Sequence, residues 1–260
     1  MDSPPQSTRP SVASLEQAAF AAWPAERVSD LEGWRLRYMR EVTRRANSVW
    51  PVSGSDQGSA ELERQVALAE TFYEKLGASQ VLFQMTPLAD PGLDAVLEAR
   101  GYRVDAPVAI QIAPLSKVIQ LTPRGNACVE LSPGPDFMEV AVQRGRFKDT
   151  PEEFQGLLQR IQGRTGFGSV ESDAGPIACG LGVCDGDLMG VFNMATVPEA
   201  RRKGAASTLL GALCRWAERR GAKYAYLQVE RDNVPALKLY ARYGFEEVYG
   251  YHYRKKSLEE

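Results

Sequence analysis

Val197-Pro-Glu-Ala-Arg-Arg-Lys-Gly-Ala-Ala-Ser-Thr-Leu-Leu210 and, a little further on, Asn233-Val-Pro-Ala-Leu-Lys-Leu-Tyr-Ala-Arg-Tyr-Gly-Phe245 are the most informative stretches of this chain. The first reads as the end of a strand, a tight glycine turn and the start of a helix. A helix start exposes unpaired backbone N–H groups and carries a partial positive charge. The backbone itself then forms an anion site, suited to a pyrophosphate. Gly204, Ala205 and Ala206 are small enough to let phosphates approach closely. Arg201, Arg202 and Lys203 set three cations against the macrodipole at this helix start. A bound anion resolves that conflict, whereas a solvated basic helix start leaves it in place.

Composition narrows the classes of function. With 260 residues the chain can form one large domain or two ordinary ones. Hydrophobic residues at 44% and charged residues at 25% are ordinary for a soluble globular protein. A net charge of −2 gives no electrostatic reason to expect nucleic acid or an acidic membrane surface. No apolar run approaches the length of a membrane span. The start, Met1-Asp-Ser-Pro-Pro5, lacks the basic-then-apolar order of a secretory signal. With Pro10 it reads as a disordered tail over residues 1–14. Cys128, Cys179, Cys184 and Cys214 form no CxxC pair, which favours a reduced, cytoplasmic protein. His252 is the one histidine, so His-rich zinc sites and two-histidine mechanisms are nearly excluded.

The order of predicted elements repeats. In the first half, Leu15 to Trp23 reads as a helix, Gly33 to Arg40 as an alternating strand and Thr43 to Val52 as its partner. Leu62, Val66, Ala69, Phe72, Tyr73 and Leu76 recur at helical spacing up to Gly77. A strand at 80–85, a short helix at 93–100 and a strand at 106–112 follow. In the second half, Asp136 to Gly145 reads as a helix, and Thr150-Pro-Glu-Glu153 opens another with a capping residue and a first-turn proline. Three strands over 169–197 are separated by turns at Asp173-Ala-Gly175 and Asp185-Gly186. Leu97-Glu-Ala-Arg-Gly-Tyr102 echoes Tyr240-Ala-Arg-Tyr-Gly-Phe245, so the halves look like a degenerate duplication. The segment Ser55–Ala60 leads into the first-half helix without an Arg-x-x-Gly pattern, and Leu97 stands where the second half has Tyr240.

Arg201-x-x-Gly204-x-Ala206, followed by the strand Lys223–Val229 and then by Asn233, Tyr240, Gly244 and Phe245, resembles the acyl-CoA signature of the GNAT N-acetyltransferase superfamily. Thr43-Arg-Arg-Ala-Asn-Ser-Val49 is similar to a phrase of bacterial tandem GNAT-like acetyltransferases, in which only the C-terminal copy carries that signature. The resemblance implies an α/β fold of two GNAT-like lobes, each with a mixed, mostly antiparallel sheet flanked by helices. The expected division is a degenerate domain over 15–115 and an acetyl-CoA-binding domain over 116–260. The implied reaction is direct transfer of an acetyl group from acetyl-CoA to a primary amine. The rival reading is a regulatory protein that binds CoA without turnover. The partners implied are acetyl-CoA and a small-molecule or peptide amine, without nucleic acid or membrane, and with a homodimer left open.

The resemblance also assigns residues. Backbone N–H groups of Arg202, Lys203, Gly204, Ala205, Ala206 and Ser207 would hold the pyrophosphate, and Ala195, Thr196 and Val197 would pair with the pantetheine arm. The strands on either side of the acyl group would splay apart. Tyr240 would protonate the leaving thiolate, its plain alternative being a core aromatic. Asn233 would touch the cofactor arm, cap the following helix, or both. Some relatives carry a Glu on the strand, where this chain has Gln228. Glu230 then becomes the candidate base, with Glu171, Asp173 or a water chain as alternatives. His252 reads by default as an exposed edge residue. Arg35, Arg37, Arg44, Arg45, Asn47 and Ser48 read either as one wall of a cleft for an anionic acceptor or, preferably, as exposed hairpin charge.

Overall fold

Two similar runs of strands and helices make up the computed structural model, which describes residues 9–52 and 57–258. The first run is α1 (Val12–Ala22), β1 (Arg27–Leu31), β2 (Trp34–Tyr38), β3 (Val49–Trp50), α2 (Ser59–Lys75), β4 (Gln80–Met85), α3 (Leu93–Ala99) and β5 (Arg103–Pro114). The second is α4 (Leu115–Leu121), β6 (Ala127–Glu130), α5 (Pro135–Met138), α6 (Pro151–Arg160), β7 (Arg164–Ser172), β8 (Gly175–Asp185), β9 (Leu188–Thr196), α7 (Ala205–Glu218), β10 (Tyr224–Glu230), α8 (Val234–Arg242) and β11 (Glu246–Ser257). The strands form one mixed sheet in the order β1-β2-β3-β4-β11-β5-β10-β9-β8-β7-β6. The mixed, mostly antiparallel α/β architecture is the expected one, with the sheets of both halves joined.

The join is a reciprocal exchange. β5, the last strand of the first run, pairs antiparallel with β10 of the second, and β11, the last strand of the second, pairs antiparallel with β4 of the first. β5 and β11 pair with each other at the centre. Each run also contains one parallel contact, β3 with β4 and β9 with β10. The repeat of α2–β4–α3–β5 by α7–β10–α8–β11 is thus a repeat of pairing as well as of order. Alternation along the central strands feeds separate cores on the two faces. Val108, Ile110 and Ile112 of β5 join α1, α5 and α6 on one face, while Ala109 and Ala113 join α7 and α8 on the other. α2 and α3 cover β4 with a third cluster that includes Leu97.

Several local expectations differ from the structure. The tail expected over 1–14 falls partly outside the described residues, and α1 already begins at Val12, where Ser11 caps it by accepting the Ser14 N–H. Thr43 to Val52 is not one strand. The Asn47 side chain accepts the Met39 and Glu41 N–H groups at 2.7 and 2.8 Å and donates to the Thr43 carbonyl at 2.8 Å. These bonds satisfy backbone groups that a ladder would otherwise use, so a 3₁₀ turn forms at Arg44–Ala46 and only Val49–Trp50 pairs. The helix expected at 136–145 ends as α at Met138 and continues as a π turn over Glu139–Gln143. Thr150 sits at the cap position of α6 without a side-chain capping bond. Part of Ser55–Ala60 lies outside the described residues. β1, α4 and β6 have no counterpart in the sequence reading.

The seat of α7 depends on a seam of glycines. Gly166 opposes Gly182 and Gly168 opposes Gly180 across β7 and β8. A Cβ on Gly166 would come within 2.7 Å of the Trp216 ring, and one on Gly168 within 2.5 Å of Leu209. The bare backbone lets α7 lie close to the sheet, with Leu209, Leu213 and Trp216 filling the space that side chains would take. A methyl group inserted into such a packed contact forces displacement of its neighbours. Gly168→Val is therefore expected to lower unfolding free energy by about 1–3 kcal/mol. Urea denaturation measures this, and an unchanged midpoint would contradict the seam.

Candidate active site

The gap in the centre of the sheet begins where two parallel strands part. β9 and β10 pair from Leu188 with Tyr224 to Val191 with Leu227, and no further. Beyond that point the strands follow different neighbours. β10 stays on β5 as far as Glu230 opposite Val108. β9 stays on β8 but carries an extra residue between the Phe192–Leu181 and Ala195–Cys179 pairs, with Asn193 in the left-handed region at φ 47°. Such a bulge increases twist and bends its strand. The edge of β9 from Phe192 onward is left without a ladder partner on the β10 side. A cleft of about 410 Å³ opens there. It is lined by Leu227, Val229 and Tyr240 of one core and by Trp23, Phe192 and Tyr251 of the other, so it passes through the sheet.

The N-terminus of α7 lies on the chain just beyond β9. Gly204 occupies the cap position at φ 90° and offers no side chain to the helix. The first helical bond runs from the Thr208 N–H to the Gly204 carbonyl at 3.0 Å. None of the N–H groups of Arg202, Lys203, Gly204, Ala205, Ala206 or Ser207 finds a backbone acceptor among the described residues. A Cβ on Gly204 would meet nothing within 4 Å, so the space beside its Cα is open. Arg202 and Lys203 are exposed, and Arg201 turns its Nε back to the Thr196 carbonyl at 3.3 Å. Of the three residues expected to run along the pantetheine arm, Ala195 lines the cleft. Val197 is buried and donates its N–H to the Ile177 carbonyl at 3.0 Å, which commits that donor to β8.

Tyr240 and Asn233 reach the cleft from α8. Tyr240 is 7% exposed and packs its ring against Phe245, and its hydroxyl has no hydrogen-bond partner among the described residues. Burial pushes its phenol up to about 12, so it is protonated at neutral pH. It is both a core aromatic and a group on the cleft wall. Asn233 caps α8 by accepting the Ala236 N–H at 3.2 Å, ahead of a first-turn proline. Gln228 lines the cleft and accepts from the Tyr251 hydroxyl at 3.5 Å, and Tyr251 and Tyr253 are themselves 3.5 Å apart. Glu230 is on the cleft wall as well, 3.2 Å from Arg44 Nη1, and Arg44 Nε is 2.8 Å from Asp105.

The polar set of the first half separates into different roles. Arg37 is buried and bonded to the Ser48 carbonyl and hydroxyl and to Gln84, at 3.1, 2.7 and 2.6 Å. Arg35 pairs with Asp30 near the sheet edge. Thr43 accepts from Trp23 Nε1 at 3.1 Å and from the Ala46 N–H at 3.3 Å, and so fixes the 3₁₀ turn that carries Arg44 and Arg45 to the cleft. Exposed charge paired with carboxylates thus describes Arg35 and Arg44, whereas Arg37, Asn47 and Ser48 are buried. His252 is not an edge residue. β11 is internal, and His252 Nε2 lies 2.9 Å from Asp94, which also takes two bonds from Arg254. The Arg254 bonds, with His252 beside them, hold the Asp94 carboxyl down to about 2. Trp23 and Arg146, both on the cleft wall, carry no local sequence signal. Tyr251 and Tyr253 carry one, since their two-residue spacing puts them on one face of a strand.

Comparison with known proteins follows the same lines. Residues 10–254 match the family described as "Probable histone acetyltransferase Rv0428c C-terminal". The chain is 31% identical over 254 residues to the uncharacterized N-acetyltransferase YobR of Bacillus subtilis, covering 94% of this chain and 98% of that one. Its fold is similar to that of a GCN5-related N-acetyltransferase from Kribbella flavida, with a TM-score of 0.68, 16% identity and coverage of 94% and 93%. It is also similar to a tandem GNAT protein from the clavulanic acid biosynthesis pathway, with a TM-score of 0.59, 16% identity and coverage of 75% and 69%.

The Asn233 cap is testable without any assay of activity. Asn233→Ala removes the acceptor for the Ala236 N–H and is expected to destabilise the protein by roughly 0.5–2 kcal/mol. Asn233→Asp keeps an acceptor and should lose much less. Equal losses in thermal unfolding would show that the side chain does not act as a cap.

Proposed function

The chain belongs to the GNAT superfamily of N-acetyltransferases, and we propose that it moves an acetyl group from acetyl-CoA directly to a primary amine. The observation that carries this reading is the slot between β9 and β10, with Tyr240 on its wall and unbonded N–H groups beyond the end of β9. The donors from Arg202 to Ser207 would take the pyrophosphate, helped by the Arg202 and Lys203 charges. The free edge of β9 at Ala195 and Thr196 would take the pantetheine amides as an added strand does. Donor and acceptor would then meet in the slot from opposite faces of the sheet.

The amine nitrogen forms a bond to the thioester carbon as the C–S bond breaks. The departing thiolate needs a proton, and the Tyr240 phenol, protonated at neutral pH, would supply it. Glu230 is the one carboxylate among the residues found on the cleft wall and would accept the proton shed by the amine through solvent. Among the described residues no helix is long and apolar enough to cross a membrane, and all four cysteines are free. A reducing, cytoplasmic setting is part of the same proposal, as is restriction of CoA binding to the C-terminal half.

Acetyl-CoA should raise the melting temperature, because a ligand that binds only the folded state stabilises it. Gly204→Glu places bulk and negative charge in front of the loop donors and is expected to abolish that shift. Gly204→Asn tolerates the same left-handed backbone and serves as the control for strain. An undiminished shift in Gly204→Glu would remove the loop from the reading.

Tyr240→Phe deletes one hydroxyl that has no partner among the described residues, so fold and CoA affinity should persist. Turnover under saturating conditions should fall roughly 10²- to 10⁴-fold. A rate near that of the parent protein, with chemistry limiting, would leave Tyr240 as packing alone.

A further inference from the structure

The acceptor side of the slot has too much positive charge for its partners. Three arginines lie on the cleft wall, Arg44 and Arg45 from the first half and Arg146 from the second. Arg44 is matched by Asp105 and Glu230. Arg45 has no hydrogen bond or ion pair among the described residues. Its guanidinium lies 5.4 Å from the ring centres of both Trp23 and Phe192, and its Nε is buried without an acceptor. Arg146 is likewise without an ion pair and lies over Phe147 at 5.1 Å. Arg146 is exposed by area, and partial desolvation, then the nearby Arg45, depress its pKa. Glu16, the buried carboxylate in the field of Arg45, does not neutralise it readily. It is bonded to Tyr249 and Gln84 at 2.7 and 3.1 Å, and burial raises its pKa.

An unpaired guanidinium donor with its remaining area on aromatic rings is a costly arrangement in an empty pocket and a good one for an oxyanion. The contrast with Arg37 is instructive, since that buried arginine has its bonds satisfied by Ser48 and Gln84. A polycationic acceptor would need free carboxylates on the wall, and Glu230 is already held by Arg44.

We propose that the acceptor is a small amine that also bears an oxyanion, a carboxylate or a phosphate, and that Arg45 and Arg146 bind that group while the amine points into the slot. This rests on the acetyl-transfer reading above and names its substrate class. In solution, thiol release from acetyl-CoA would be followed with an amino acid, its amide, phosphoethanolamine and spermidine, in the parent protein and in Arg45→Gln and Arg146→Gln. The expected result is a kcat/KM for the carboxylate or the phosphate amine well above that of the amide and of spermidine. Arg45→Gln should lower that advantage roughly 10- to 100-fold, the range for losing a hydrogen bond to a charged group. Arg45→Lys should restore only part of it, because an ammonium lacks the planar fork. Whether carboxylate or phosphate leads identifies the oxyanion. Equal or better use of the amide or spermidine, or an advantage that survives in both glutamine variants, would overturn the proposal. Binding is read separately, as the thermal shift given by N-acetyl amino acids and N-acetylphosphoethanolamine with CoA present. No shift with either anion would also overturn it. A shift that Arg45→Gln removes, in a protein that turns over none of the amines, would sustain the oxyanion site and sink acetyl transfer instead.

Discussion

Everything at this site depends on two parallel strands that stop bonding to each other. β9 and β10 share a ladder only as far as Val191 and Leu227. A longer ladder would close the sheet, place Gln228 against Phe192 and seal the passage between the two cores. What holds the strands apart is their commitment to other neighbours. β10 is bound to β5 to its last residue, and β9 follows β8 through a bulge at Asn193. Unpaired backbone within a sheet is costly unless something satisfies it. The extended ligand proposed for this edge would resolve that cost.

The exchange of β5 and β11 decides who can contribute to the cleft. Because β5 belongs by sequence to the first half and by pairing to β10, the first half is carried up to the slot. The 3₁₀ turn at Arg44–Ala46 then reaches Glu230 and Asp105, residues far away in the chain. One side of the cleft is assembled from Trp23 at the end of α1, that turn and β11, and the other from β9, β10 and α8. A degenerate first half that has Leu97 where the second has Tyr240 therefore keeps a role in the architecture of the site.

Electrostatics separates the arginines more sharply than position does. Arg37 and Arg45 are eight residues apart, and both are near Glu16. One is hydrogen-bonded through Nε and Nη2 into a strand junction and the other is stacked on Trp23 and Phe192 with a buried donor unmet. Sequence types alone do not distinguish them, because the distinction lies in what Ser48, Gln84 and Trp23 bring to each from other elements.

What the sequence determined by itself was local. The turn and helix start at Gly204, the Asn233 cap and proline opening of α8 and the helical face of α2 are set by bonds spanning two to four residues, and the strands at 80–85 and 223–229 are marked by their own runs of strand-favouring side chains. Their residue types report that directly. The repeated element order was legible for the same reason, and so were Tyr240 and the loop, since each follows a local motif. Tertiary structure alone decided the strand exchange, the parting of β9 from β10, the pairing of His252 with Asp94 across 158 positions, and the meeting of Trp23, Arg45 and Arg146 on one wall. These depend on which distant strands share hydrogen bonds, and a ladder partner leaves no mark in the composition of a single strand.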